Sequence, residues 1–350
     1  MVTPSPWWSR ERHGDRRPFL MARNRIKSAI RRDLEDMGFT EVECAALQVS
    51  PGNETHLHAF ATEAIGPGGE RTRYYLHTSP EFAAKKLLAA GEQRIFDFAR
   101  VFRNREHASL NLPEFTMLEW YRAHQPYDAV IGDCLRFLSI ATTAAGNKRL
   151  SYCGRHADPG AQPEWLTVAE AFARHAGIDL LASLAQDGAG DREALARQAA
   201  RAGTAIAADD TWSDIFARVL VERIEPHLGF DRPTILHEYP RVEAALARAS
   251  SDDPRVAERF ELYVCGVELA NGFGELTDPV EQRRRFENEM SEKERRYGER
   301  YPIDEDLLAA LSHMPPASGV ALGFDRLVML ATGAPRIDQV MWTPPAGSAS

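Results

Sequence analysis

Between Phe260 and Leu269 apolar side chains fall on every second residue: Phe260, Leu262 and Val264, then Val267 and Leu269, with only Cys265-Gly266 between the two runs. A period of two marks strands with one buried face, and a two-residue connector ending in glycine predicts a tight antiparallel hairpin. Arg94–Phe102 and Glu114–Tyr121 read as a second pair of strands, joined by a polar loop. Strands come in runs and not in strand–helix–strand alternation. The expected fold is therefore α+β, an antiparallel sheet flanked by helices.

The remaining elements fit around that sheet. Ile26, Ile30, Leu34 and Met37 recur at helical spacing before Gly38, Phe39–Glu43 is strand-like, and Tyr74–Thr78 is β-rich. Ser79-Pro80-Glu81 opens a helix toward Ala90, with a capping hydroxyl, a proline in the first turn and a carboxylate at the N-terminus. Helices are expected at Ala129–Ala145 and Pro279–Tyr297, and a small-residue strand, Ser318–Phe324, feeds a helix at Asp325–Ala331. Residues 1–22 read as an irregular N-terminal arm, 23–335 as one catalytic domain with a helical insertion over about 150–235, and 336–350 as a C-terminal tail. Within the insertion Phe216, Val219, Leu220 and Ile224 form an apolar stripe expected in the core.

Composition narrows the function. A net charge of -9 disfavours a broad nucleic-acid footprint, so tRNA is not an expected partner. The four cysteines are scattered with no Cys-x-x-Cys pair, which points away from zinc and toward reduced thiols. No apolar run is long enough to span a bilayer and no secretory leader is visible, so a cytoplasmic location is expected. The Gly-x-x-x-x-Gly-Lys-Ser/Thr route to ATP is missing.

Three stretches nevertheless share one chemical purpose. Arg103 precedes a polar loop ending in Pro113-Glu114-Phe115, Arg326 sits in the first turn of a helix after Gly323, and Gly266–Glu275 is rich in carboxylates. Attack of a carboxylate on the α-phosphate of ATP builds charge on phosphoryl oxygens, and arginine grips such oxygens through two parallel hydrogen bonds. Arg103 suits the α-phosphate, Arg326 the γ-phosphate, and Phe115 the adenine ring. Glu268, with Asn271, offers oxygen ligands for Mg²⁺. Glu275, Glu81, Glu119 and Tyr121 are candidates for a negative pocket around a substrate ammonium. Alone, Arg103 reads as a surface ion pair, Glu268 as an edge-strand charge, and Tyr121 as core. Joint occurrence favours an adenylation site.

The stretch Phe102–Tyr121 resembles motif 2 of class II aminoacyl-tRNA synthetases of the lysyl branch, and Ser318–Leu327 resembles motif 3. Thr78-Ser79-Pro80-Glu81 and Gly266–Glu275 match the same branch, and the resemblance covers about Arg23 to Leu330. It is closest to the elongation factor P–(R)-β-lysine ligase family, which lacks the anticodon-binding OB domain. Ala321, where the synthetases have glycine, and Asn53-Glu54-Thr55-His56-Leu57 carry that distinction. The resemblance implies an AMP-forming ligase that adenylates (R)-β-lysine, or a lysine-like amino acid, and transfers it to a lysine of elongation factor P. A stand-alone lysyl-adenylate synthetase with another acceptor and a catalytically weak binding protein are the alternatives. Carried over, Ser79, Glu81, Tyr121, Glu275 and Ala321 would contact the amino acid. Arg103, Asn104, Arg105, Phe115, Glu268, Leu269, Asn271, Gly323 and Arg326 would contact ATP or Mg²⁺, and a homodimer is expected. The chain departs from the family pattern at Arg105, at Asn111-Leu112 and at Ala45.

Overall fold

A computed structural model describes residues 7–345. The chain opens on a helix, Arg10–Asp36 (α1), then Thr40–Glu41 (β1), Leu47–Gln48 (β2) and a hairpin, Phe60–Ile65 (β3) with Arg71–Leu76 (β4). Helix Glu81–Ala89 (α2) leads to Arg94–Phe102 (β5), Glu114–Ala123 (β6) and helix Tyr127–Ala145 (α3). Leu150–Tyr152 (β7), Arg155–Ala157 (β8) and Glu164–Thr167 (β9) precede helices Val168–Ala176 (α4), Arg192–Arg201 (α5) and Trp212–Val219 (α6). Strands Thr234–Pro240 (β10), Val256–Val264 (β11) and Val267–Gly274 (β12) are followed by helices Pro279–Tyr297 (α7) and Glu305–Leu311 (α8). Strand Ala317–Gly323 (β13) and helix Phe324–Thr332 (α9) complete the set.

Eight strands form one sheet in the order β1-β5-β6-β13-β12-β11-β10-β9. The six central strands are antiparallel, and a parallel pair closes each edge, β1 with β5 and β9 with β10. The fold is α+β. The β11–β12 hairpin turns on Cys265 and Gly266, both at positive φ (55° and 74°), the paired left-handed conformation of a type I′ turn.

Alternation along each strand sorts side chains to two faces. Leu118 and Trp120 of β6, Val320 and Leu322 of β13, and Phe260, Leu262 and Val264 of β11 point into the main core, which also holds residues of α1, α3 and α9. The opposite face carries Met117, Glu119 and Tyr121, with Gly319, Ala321 and Gly323 beside them in register, and supplies the floor of the site.

Three expectations need correction. Residues 10–22 are not an irregular arm but the first half of α1, capped by Ser9. The charge-rich run and Pro18 mask a helix that tertiary contacts hold: Leu20 and Ala22 are buried, Arg23 pairs with Asp325, and Arg16 reaches the Met341 carbonyl. Residues 336–345 do not form a tail. Ile337–Val340 is a 3₁₀ turn, and Ile337, Val340 and Met341 are buried in the main core; residues 346–350 lie outside the described residues. Finally, the 150–235 stretch is not purely helical, because β7 and β8 form a hairpin and β9 joins the main sheet. Its helices do share a core of their own in which Phe216, Val219, Leu220 and Ile224 pack against Leu236 and Tyr239 of β10.

Candidate active site

A cavity of about 340 Å³ opens on the polar sheet face, lined by Ser79, Glu81, Arg103, Phe115, Glu268, Leu269, Asn271, Ala321, Gly323 and Arg326 among others. The two arginines that lie far apart in sequence therefore face one space. Asp325 fixes the second of them: its carboxylate pairs with Arg23 and accepts the Thr116 N–H at 2.8 Å, pinning the first turn of α9 to α1 and β6. Arg326 then donates to the Glu268 carbonyl at 2.7 Å and to Asn111 Oδ1 at 2.8 Å, and its carboxylate neighbour Glu268 stays 3.7 Å away. Arg103, just past β5, donates to the Thr78 carbonyl at 3.2 Å and lies over the Phe115 ring, 5.4 Å from its centroid.

Glu106 and Asn111 join the two arginines. Glu106 is 3.9 Å from Arg103 and accepts from Asn111 Nδ2 at 3.0 Å, while Asn111 Oδ1 takes Arg326. Both line the cavity. Arg105 and Asn104 do not. Arg105 has a left-handed backbone (φ 64°), and its half-exposed side chain pairs with Glu299 and lies over Tyr297 at the end of α7. Asn104 Oδ1 is used locally, accepting the Arg105 N–H. Neither Arg105 nor Asn104 reaches the cavity in this structure: the left-handed residue turns the chain so that Glu106, one position later, faces inward. Of the departures, Asn111 is part of this linkage, Arg105 lies outside it, and Leu112 is buried.

Glu268 and Asn271 reach the same face by an irregularity. Asn271 and Phe273 alternate toward the cavity, and Glu268, three residues before Asn271, would point away in a regular strand. The β11–β12 register slips between Leu262 and Tyr263, leaving Leu269 as an extra residue, and this bulge re-aims Glu268 inward. Burial and nearby Glu261 push Glu268 up to about 7, against the pull of Arg326. Asn271 Oδ1 is buried with no hydrogen-bond partner among the described residues. A carboxylate and an orphaned amide oxygen beside one cavity fit a hard cation.

The opposite end is acidic. Ser79 and Tyr121 donate to the two oxygens of Glu119 at 2.7 and 2.5 Å, and burial with Glu81 nearby pushes Glu119 up to about 8. Ser79 also accepts the Glu81 N–H at 3.0 Å, so one hydroxyl satisfies the first N–H of α2 and orients the cluster, although Pro80 is the cap residue. Lys85, which drew no functional reading from the sequence, lies fully buried 2.6 Å from Glu81 and 2.7 Å from Glu275. Burial alone would lower its pKa; Glu275 and Glu81 outweigh that and hold it above the ordinary value. Glu275 is itself pushed up to about 7 by burial despite Lys85. Glu275 and Tyr121 do not line the open cavity; they form the wall behind it, packed so tightly on Gly319 that a Cβ there would overlap both. Across the sheet Ala321 stands in register between Glu119 of β6 and Asn271 of β12, so its methyl group sits between the two polar groups. The arrangement suits a ligand with several negative charges at one end and an ammonium at the other.

Comparison with known proteins agrees with this geometry. Residues 8–346 match the family model described as tRNA synthetases class II (D, K and N). The elongation factor P–(R)-β-lysine ligase of Edwardsiella ictaluri is 40% identical over 326 residues, 92% of this chain and 93% of that protein. The ligase of the same description from Yersinia enterocolitica is 39% identical over 329 residues, 93% of this chain and 94% of that one.

Proposed function

The chain belongs to the class II tRNA synthetase family, and on that premise we propose that it is an ATP-dependent ligase that adenylates (R)-β-lysine and transfers it to a lysine side chain of elongation factor P. The observation that carries this reading is the single cavity with Arg103 and Arg326 at one end and Ser79 and Glu81 at the other, where buried Glu119, Lys85 and Glu275 back the Glu81 end from the wall behind.

In this reading Arg103 holds the α-phosphate and Arg326 the γ-phosphate, their planar forks oriented by backbone and amide acceptors before substrate arrives. Glu268 and Asn271 would hold Mg²⁺, which supplies neutralisation of charge on the phosphate oxygens. Phe115 and Leu269 offer apolar surface beside them. The substrate ammonium lies against Glu81 and Glu119, with Ser79 and Tyr121 setting the carboxylate geometry. Glu275 acts from behind through Lys85. The substrate carboxylate then attacks the α-phosphate, pyrophosphate leaves, and an acceptor amine attacks the mixed anhydride to release AMP. Ala321 is the specificity element, since its methyl group narrows the space between Glu119 and Asn271 and disfavours an α-amino group there. A cytoplasmic homodimer completes the reading, with exposed Leu47 and Ile65 on the small β2–β4–β3 sheet as apolar surface for a second copy.

Two measurements test it. ATP–pyrophosphate exchange should depend on (R)-β-lysine more than on α-lysine, and incubation with ATP and (R)-β-lysine should add one β-lysyl mass to elongation factor P. Exchange driven best by α-lysine, with no mass change on the factor, would sink the reading.

A further inference from the structure

A second cavity, of about 370 Å³, lies between the start of α6, the segment after β10, and α7, and it shares Glu54, Leu57, Leu246, Asn271 and Phe273 with the first. Those five residues form a partition, and Glu54 is its one ionisable member. The Glu54 carboxylate has no hydrogen-bond or ion-pair partner among the described residues, although the residue is half-buried. The charged groups near it are Glu81 of α2, Arg103 after β5, Arg259 of β11, and Glu289 and Lys293 of α7, and Lys293 Nζ also donates to the Glu54 backbone carbonyl at 3.4 Å. Glu81 belongs to the ammonium end of the first cavity and Arg103 to the phosphate end. Glu54 lines both cavities, and on the ligase reading the acyl carbon of the adenylate would lie between the Glu81 and Arg103 ends of the first, on the side where Glu54 stands.

The second cavity has the character of a route for a cation. Glu243, Glu289 and Glu292 line it. Its two arginines are already committed, Arg296 to Asp214 and Glu292, and Arg259 to Glu261; Glu292 is in turn occupied by Arg295 and Arg296, which leaves Glu54, Glu243 and Glu289 as the acidic lining. Glu243 Oε1 is buried with no hydrogen-bond partner among the described residues, although the carboxyl also interacts with Ser213. A slender cationic side chain matches this lining better than a nucleotide, which the acidic groups would repel.

We propose that the acceptor lysine amine enters through this second cavity and that Glu54 takes its proton before attack; this inference rests on the ligase reading above. The arriving ammonium transfers one proton to the Glu54 carboxylate. The neutral amine then forms the N–C bond to the acyl carbon, and the C–O bond to phosphate breaks with its electron pair on AMP. The second proton leaves the new amide nitrogen for bulk water along the same cavity, and Glu54 releases the first by that route. Burial and Glu81 push Glu54 up to about 7, against Arg103, which matches a base working near neutral pH.

The test compares two nucleophiles on the same enzyme-bound adenylate, formed from ATP and (R)-β-lysine. Elongation factor P presents a protonated lysine and must use the route; hydroxylamine is small and mostly neutral at pH 7 and needs neither route nor base. Glu54→Gln should lower single-turnover transfer to the factor by about 10²-fold or more, with the loss toward hydroxylamine at least about tenfold smaller. In the unchanged enzyme the transfer rate should rise through pH about 7, and Glu54→Gln should remove that inflection. Asn288→Trp, an exposed change at the mouth of the second cavity, should raise the KM for the factor with little change toward hydroxylamine. Equal losses toward both nucleophiles in Glu54→Gln, or retained transfer in both variants, overturn the inference. Absence of any hydroxamate from the unchanged enzyme overturns the ligase reading and this inference with it.

Discussion

At the α9 end of the cavity two arginines are held mainly by neutral acceptors, the carbonyls of Thr78 and Glu268 and the amide of Asn111, with carboxylates no nearer than 3.7 Å. At the α2 end the pattern reverses: Glu81 and Glu275 flank one buried ammonium, Lys85, and Glu119 stands beside them, held by Ser79 and Tyr121. Positive charge is thus in excess at one end and negative charge at the other, and neither end is fully neutralised internally. Preorganised charge of this kind costs folding stability and is recovered when a complementary ligand binds. Substitutions should therefore separate the two ends, one reading mainly in stability and substrate-amine binding, the other mainly in catalysis.

The largest effect is expected at Lys85. Lys85→Met leaves Glu275 and Glu81 without their shared cation in a site where the Lys85 and Glu275 side chains are each 1% exposed. Removing one partner of a buried pair costs about 3–5 kcal/mol, measurable by denaturant unfolding. The cost should shrink as pH falls, because the raised Glu275 carboxyl protonates and loses its need for a partner. A loss that is the same at pH 5.5 and pH 8 would mean that packing, not charge, is what Lys85 supplies.

Arg326→Ala probes the other end. It should leave the fold intact, since the residue sits in the cavity wall, and lower pyrophosphate exchange by about 10²–10³-fold, with kcat falling more than KM rises. Arg326→Lys should recover little, because an ammonium cannot replace a fork that spans Glu268 and Asn111.

A pH experiment compares both ends in the unchanged protein. Glu119 is raised to about 8 and Glu275 to about 7. A carboxyl whose folded pKa is raised binds more protons folded than unfolded, so its contribution is favourable at acid pH and is lost as pH rises through the raised value. Stability without ligand should therefore decline from the ordinary glutamate range up to pH about 8 on account of these groups. A bound ammonium favours their ionised forms. Titration with (R)-β-lysine at pH 7 in buffers of different ionisation heat should release roughly one proton, and affinity should rise toward pH 8. Binding with no proton release would show that the cluster is already ionised.

Ala321→Gly should act more weakly. Removing the methyl between Glu119 and Asn271 should shift preference toward α-lysine by about tenfold, roughly the 1–3 kcal/mol of one carbon in a tight pocket. Parallel exchange assays with both amino acids measure it, and an unchanged ratio would move the specificity element elsewhere.

How much of this was readable in advance differs between the same two ends. The hairpin over β11–β12, the limits of α7, and the choice of Arg103 and Arg326 as candidates follow from alternation, capping and charge chemistry, which are local. Glu268 faces the cavity only because Leu269 is an extra residue in the strand, and nothing in the alternation announces a bulge. Lys85 gains meaning only from Glu275, 190 positions on in the chain and 2.7 Å away in space. The first half of α1 escaped for a similar reason: Arg23 pairs with Asp325, across nearly the whole sequence, and that contact outweighs the discouraging local composition. Joining distant charges is a property of the fold, and no window of residues contains it.

Arg105 gives the smallest effect and the clearest discrimination between motif position and geometry. By its place in the Phe102-Arg103-Asn104 stretch it belongs with the phosphate ligands, yet its side chain is half-exposed, pairs with Glu299 and covers Tyr297. An exposed ion pair of this kind contributes about 0–1 kcal/mol. Arg105→Ala should therefore change pyrophosphate exchange by less than about threefold, whereas Glu106→Gln, one residue on, loosens the link between Arg103 and Asn111 and should lower exchange more. Assaying the two variants side by side decides which residue the loop delivers to the cavity. A larger loss in Arg105→Ala than in Glu106→Gln would mean that the loop turns over when nucleotide binds, bringing residue 105 inward.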